Sequence, residues 1–186
     1  MKYLGQILIF IALVYLGLFG IYGLGRDSEY KQVDMGYFYT AGKTWQEGKN
    51  PYHFDEFLKV RKDLGFKIQT YNFAYPPSIA PLSLFLAQFS LDGARIAMHI
   101  INGIALMLLI YAAIKLSPSL SHFQHTLLAS ILIANPFTAH VFWMGQTSLI
   151  AAASLAMLWL YRHNTYLLAA LFGAIATIKP QLTLFP

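Results

Sequence analysis

Long apolar runs separated by short polar turns make up most of this chain, and one polar block near the N-terminus interrupts them. Residues 3–24 carry no charge and only Gln6 as a strongly polar side chain. About 20 such residues cross a bilayer as a helix, so this is the first predicted span. The run is too long for the apolar core of a signal peptide, and no small-x-small cleavage site follows it. Residues 78–89 are apolar but too short to cross, and read as a re-entrant or interfacial helix. Ser90 and Asp92 can cap a second span over 93–116. After the polar turn 117–124, further spans are predicted over 125–143, broken late by Asn135-Pro136, over 146–161, and over 165–186 beyond the tight turn Arg162-His163-Asn164.

The exception is the loop 25–77, where two amphipathic helices can be read. In the first, Tyr37, Ala41 and Trp45 recur at i, i+4 and i+8 and share one face. Asp34 stands at the N-cap position, and Gly48 followed by Pro51 stops the helix. In the second, Phe54, Phe57, Leu58 and Leu64 form the apolar stripe, with Asp55 at the start and Gly65 at the end. Helices of this kind lie along a membrane surface with the apolar face among the headgroups.

Composition agrees with the pattern. The 186 residues are 57% hydrophobic and 11% charged, against about 25% charged in soluble domains. The expected fold class is therefore all-α: a polytopic transmembrane helical bundle with a large extramembrane loop of amphipathic helices, in an integral, multi-pass membrane protein. The net charge of +5 does not point to nucleic acid, because no Lys/Arg cluster rides on a soluble fold. The absence of cysteine excludes disulfides and thiolate metal sites. Orientation is contested within the sequence. One face carries Arg26, Lys31, Lys43, Lys49, Lys59, Arg61, Lys62, Lys67 and Arg95, the other only Lys2, Lys115 and Arg162. A positive-inside count thus puts the large loop in the cytoplasm, although the rule weakens for a loop this long and this rich in Asp and Glu.

The order of the polar motifs adds a resemblance. Asp34 with Tyr37-Phe38-Tyr39 is followed by Gly48-x-Asn50-Pro51-Tyr52, Tyr75-Pro76-Pro77, Asn135-Pro136, Gly145-Gln146 and Lys179-Pro180. No one motif is specific, but their order and spacing over essentially the whole chain resemble the N-terminal part of glycosyltransferase family 87. These are the polyprenol-phosphate-sugar-dependent, alpha-mannosyltransferase-like enzymes of the C-type glycosyltransferase fold. The resemblance implies a membrane hexosyltransferase, here with a partial C-type fold, that moves a sugar from a polyprenyl-phosphate donor to a glycan or glycolipid acceptor. The acceptor would lie on the extracytoplasmic face of what is expected to be a bacterial plasma membrane. It also implies further spans, so the chain is expected to be an N-terminal fragment, inactive alone. The rival reading is a non-catalytic membrane subunit or transporter fragment. It is disfavoured because the polar groups gather at one membrane face rather than at mid-span.

Several residues then carry expectations. Asp34 has the chemistry of a general base for an acceptor hydroxyl and the chemistry of a helix cap; the resemblance favours the base. Asp27 and Glu29 form a rival acidic pair able to hold a divalent metal on phosphates, although a solvated juxtamembrane turn explains them better, and no other cofactor is called for. Lys179, a charge in an apolar segment, is a functional hypothesis and a phosphate partner, set against snorkelling at a helix end. Gln146 suits a sugar or phosphate as well as it suits a cap. Tyr75 and Tyr37 are substrate-binding candidates; Tyr75 could stack on a sugar, while Pro76 and Pro77 fix the chain entering the next helix. His99 reads as an interhelical histidine, and the other histidines show no ligand spacing.

Overall fold

The structure is a computed structural model that describes residues 2–26, 32–66 and 72–183. Among these residues every regular element is helical, as the hydropathy pattern predicts. Helix α1 (Lys2–Tyr15) runs on into a π-helical segment, Leu16–Tyr22. Together Tyr3–Tyr22 form one candidate span with mean hydropathy 2.4, and α5 (Leu91–Leu116) forms another with mean hydropathy 2.0. Helices α6 (His122–Ile133) and α7 (Pro136–Met144) make a third only if taken as one broken span, bent by 44°. Helices α8 (Ser148–Tyr161) and α9 (Tyr166–Ala176) are apolar but have 14 and 11 residues, short of the roughly 20 that a straight crossing needs. The last apolar run is divided after Ala176 by a turn that carries Lys179, before a final short helix, α10 (Pro180–Thr183).

The ends of these helices follow from local chemistry. The Ser90 hydroxyl accepts from Gly93 N at 3.2 Å and caps α5. Ser121 and Gln124 form a capping box at α6. At the bend, Asn135 Oδ1 accepts from Phe137 N at 2.8 Å, and Thr138 Oγ1 donates to the Leu132 carbonyl at 2.8 Å. Pro136 at the first turn of α7 has no N–H to satisfy. The break is therefore closed by side chains, which an apolar environment requires of any irregular backbone.

The loop forms helices α2 (Val33–Gln46) and α3 (Phe54–Asp63), and the apolar stretch after it is a short 3₁₀ turn, Pro77–Ile79, leading into α4 (Ala80–Leu86). Two expectations are corrected here. The N-cap of α2 is Gln32, so Asp34 lies one position inside the helix and makes no capping bond. The buried face of α3 is Phe57, Val60 and Arg61, whereas Phe54 is exposed. Arg61 is kept inside by aromatic faces: its guanidinium lies 4.2 Å from the Tyr37 ring centroid and 4.7 Å from that of Phe66. Burial pulls it below its ordinary pKa, against the effect of Tyr37, but an arginine stays charged.

Packing makes two adjoining cores. Ala12, Leu16, Leu106, Ile133, Val141, Phe142 and Leu149 fill the bundle formed by α1 and α5 to α8. Met35, Phe38, Ala41, Phe57, Phe73, Ile79, Leu86 and Met98 join α2 to α3, α4 and α5. Ile150 on α8 touches both. Helix α2 is drawn onto α4 by Gly42, where a Cβ would fall 2.1 Å from the Ser83 carbonyl oxygen. Gly42→Ala must therefore push backbone apart, which costs roughly 1–3 kcal/mol. Gly103 on α5 meets nothing within 4 Å, so Gly103→Ala should hold or gain stability by up to about 1 kcal/mol. Thermal unfolding of the two variants in detergent should separate them; equal melting temperatures would mean that α2 and α4 are not in close contact.

Candidate active site

Four segments meet where the two cores join: the first turn of α2, the extended stretch 72–76, the α7–α8 connection and the turn after α9. Between them lies a cavity of about 540 Å³, lined by Asp34, Tyr37, Asn72, Tyr75, Gln146, Lys179 and Gln181 with the apolar Val33, Ala74 and Met144. A small-molecule site is commonly 300–1,000 Å³, about this size. Asp34, Tyr37, Tyr75, Gln146 and Lys179, which the sequence singles out separately, thus line one cavity. Asn135 does not: it starts α7, Gln146 follows its end, and the helix separates them. Asp27 and Glu29 lie outside the described residues. Among the described residues no set of three or more His, Asp and Glu side chains converges as a metal site. A larger cavity of about 870 Å³ lies between α1 and the start of α6, lined by Gly5, Gln6, Phe10, Leu13, His122 and Phe123 among others. It contains no carboxylate and only one titratable group, so acid–base chemistry belongs to the smaller cavity.

The position of each side chain has a local cause. Gly145 ends α7 at φ 67°, with its N–H on the Val141 carbonyl, a left-handed cap that glycine adopts readily. The chain then turns so that Gln146 faces α2. Tyr52 OH donates to the Tyr75 carbonyl at 2.9 Å, and Ser78 Oγ donates to the Thr177 carbonyl at 3.1 Å. These two bonds tie the stretch around Tyr75 to the loop on one side and to the Lys179 turn on the other.

The polar side chains form a directional series. Lys179 Nζ donates to Ser148 Oγ, and the Ser148 hydroxyl donates to Gln146 Oε1 at 3.2 Å. Gln146, with its oxygen engaged, and Tyr75 both border the Asp34 carboxyl in the cavity and favour its charged form. Burial raises the Asp34 carboxyl above the ordinary aspartate range; Gln146, the charges of Lys179 and His140, and Tyr75 oppose that rise without cancelling it. Burial also pushes the Tyr75 phenol up, reinforced by the neighbouring Asp34 charge, so Tyr75 remains a protonated donor. Asp34 further lies in the first turn of α2, where the helix dipole favours a negative charge.

Sequence reasoning missed three contributors. Ser148 links Lys179 to Gln146, and only the fold shows it. Arg26 Nη1 lies 3.3 Å from His140 Nδ1, and His140 interacts electrostatically with both Asp34 and Lys179. Lys179 and His140 thus act on the Asp34 carboxylate, and Arg26 adjoins His140. His140 lies over 100 residues from Asp34 along the chain, and no spacing rule connects them. The arrangement can take a proton at Asp34, place anionic oxygens near Lys179 and Arg26, and offer amides and phenols to hydroxyl groups.

The sequence model of Glycosyltransferase family 87 matches residues 73–186. The match begins just before Tyr75 and includes Gln146, Ser148 and Lys179, while Asp34 and Tyr37 precede it. No curated protein and no solved structure matches the chain.

A carboxyl whose pKa is raised on folding favours the fold when protonated. Its contribution is complete below the unfolded value of about 3.9 and is lost as pH rises through the higher folded value. Asp34→Asn, uncharged at every pH, should therefore melt above the wild type near neutral pH. The gap should close as pH falls toward about 4. Melting curves across that range provide the check, and a gap that widens on acidification would contradict the buried-carboxylate description.

Proposed function

The chain belongs to glycosyltransferase family 87, and on that premise we propose that it is the part of a membrane hexosyltransferase that holds the catalytic base. The donor is a polyprenyl-phosphate sugar, of which a mannosyl phosphate is one form, and the acceptor is a hydroxyl of a glycan or glycolipid. The observation that carries this reading is the placement of Asp34: a half-buried carboxyl whose pKa burial raises, lining one cavity with Gln146, Tyr75 and Lys179.

In the proposed reaction the acceptor oxygen attacks the anomeric carbon of the donor sugar. The bond from that carbon to the phosphate oxygen breaks, and its electron pair leaves with the polyprenyl phosphate. The acceptor proton passes to Asp34. Lys179 faces the charge that develops on the departing phosphate, with Arg26 and His140 beside it. Asn72, Gln181 and the two phenols supply partners for sugar hydroxyls. The loop 25–77 is expected on the extracytoplasmic side of a bacterial plasma membrane, so that a lipid-linked donor enters at headgroup level.

In the enzyme, Asp34→Asn should lower transfer from a radiolabelled lipid-phosphate sugar by about 10²–10⁴-fold, the usual share of a general base. Lys179→Gln should lower it by about 10²-fold, as expected when one charge-stabilising group is lost. Both variants should keep normal protein levels. Near-normal turnover by Asp34→Asn would remove the base assignment. Reporter fusions between Lys49 and Phe66 should report the extracytoplasmic side, and fusions within 117–124 the opposite one; a cytoplasmic loop would remove the donor assignment and uphold the charge count.

A further inference from the structure

Gln32 has a conformation and an environment that helix formation does not explain. It has φ 58° and is the one non-glycine with positive φ among the described residues. Left-handed backbone suits Gly, and to a lesser degree Asn and Asp; glutamine holds it only where the surroundings enforce it. Gln32 precedes α2 as its N-cap yet makes no side-chain capping bond, whereas Ser, Thr, Asp or Asn would supply one. Its side chain is 2% exposed. It points away from the helix it starts, and Nε2 donates to the Phe142 carbonyl at 3.2 Å and meets His99 Nε2 at 2.9 Å. The carbonyl partner identifies that atom as the amide nitrogen, so His99 Nε2 is the acceptor. The backbone N–H of Gln32 donates to the Trp143 carbonyl at 2.8 Å. Its Oε1 is buried without a hydrogen-bond partner among the described residues, a standing cost for retaining this side chain.

These contacts join the beginning of α2 to the end of α7 and to α5. Gly145 completes the junction, since a Cβ there would fall 2.3 Å from Gln32 Oε1 and 2.6 Å from Met35 Cβ. Gln32 stands two residues before Asp34, and Gly145 stands immediately before Gln146. We infer that Gln32 is the positioning residue for Asp34: its side chain fixes the first turn of α2 against the α7–α8 connection, so that the Asp34 carboxylate meets the Gln146 amide. Its bearing on catalysis rests on the reading of Asp34 as the base, whereas the coupling itself does not.

The test follows the Asp34 carboxyl directly, by infrared difference titration of the chain in nanodiscs. The protonated carbonyl band is assigned by its loss in Asp34→Asn. Asp34 is faced by Gln146, by Lys179 after α9, by His140 on α7 and by Tyr75, and all four are retained in the Gln32 variants. Gln32→Gly and Gln32→Asn both accept the left-handed backbone, and neither reaches His99 and Phe142 together. Each should raise the titration midpoint by on the order of one unit, the size of a lost charge-assisted hydrogen bond. Gln146→Leu should raise it similarly, and Gln32→Gly combined with Gln146→Leu should raise it no further, as a shared interaction requires. In turnover, the acid limb of kcat/KM should move upward with the midpoint, with donor KM changed less than kcat. An unshifted midpoint in both Gln32 variants, or additive shifts in the double variant, overturns the inference. Loss of the folded chain in both Gln32 variants, with Gln146→Leu still folded, also overturns it and assigns Gln32 to folding alone. Coupled shifts in the chain, with no sugar transfer by the enzyme that contains it, uphold the coupling and remove the transferase role.

Discussion

The half-buried carboxylate of Asp34 is the constraint from which the site is built. Removing a charge from water is costly unless hydrogen bonds and nearby charges replace the solvent. Here the replacement comes from four separate parts of the chain. The amide of Gln146, the ammonium of Lys179, the imidazole of His140 and the phenol of Tyr75 all lower the cost of the charge on Asp34. Each must be held in place by its own segment, so the turn after α9, the α7–α8 connection and the stretch before the 3₁₀ turn all have to converge on the start of α2. The close approach at Gly42 and the tie from Ser78 to Thr177 serve that convergence. The partial compensation leaves the carboxyl above its ordinary pKa.

Much of the architecture was legible because it is local. Uninterrupted apolar length marks α1 and α5, Ser90 marks the start of α5, and Asn135-Pro136 marks the break between α6 and α7. The helical character of the loop followed from the i, i+4, i+8 spacing of Tyr37, Ala41 and Trp45. The role of Asp34 at the helix end was misread because Asp is a strong cap by type, while the true N-cap, Gln32, has a side chain engaged elsewhere. The burial of Arg61 was not legible, because no local pattern reveals that Tyr37 and Phe66 enclose it.

The composition of the cavity was legible only in part. Asp34, Tyr37, Tyr75, Gln146 and Lys179 are conspicuous as polar or aromatic residues beside apolar runs, and the fold places them together. Ser148 is an ordinary serine at a helix start, Arg26 an ordinary juxtamembrane cation, and His140 a lone histidine in an apolar helix. Their significance is tertiary, arising from chain segments more than a hundred residues apart, such as Arg26 and His140. The family match runs from residue 73 onward, so it spans Tyr75, Gln146 and Lys179 and leaves Asp34 and Tyr37 outside it.

The closed bend between α6 and α7 has a mechanical consequence. Asn135 caps the start of α7 and the Thr138 hydroxyl occupies the Leu132 carbonyl, so straightening the 44° angle would disturb both bonds. The bend therefore behaves as an elbow with a set angle rather than as a hinge. Its far end, Gly145, is keyed into Gln32. The end of α7 that borders the cavity thus takes its position from a bend closed by side-chain bonds at one end and from the Gly145–Gln32 contact at the other.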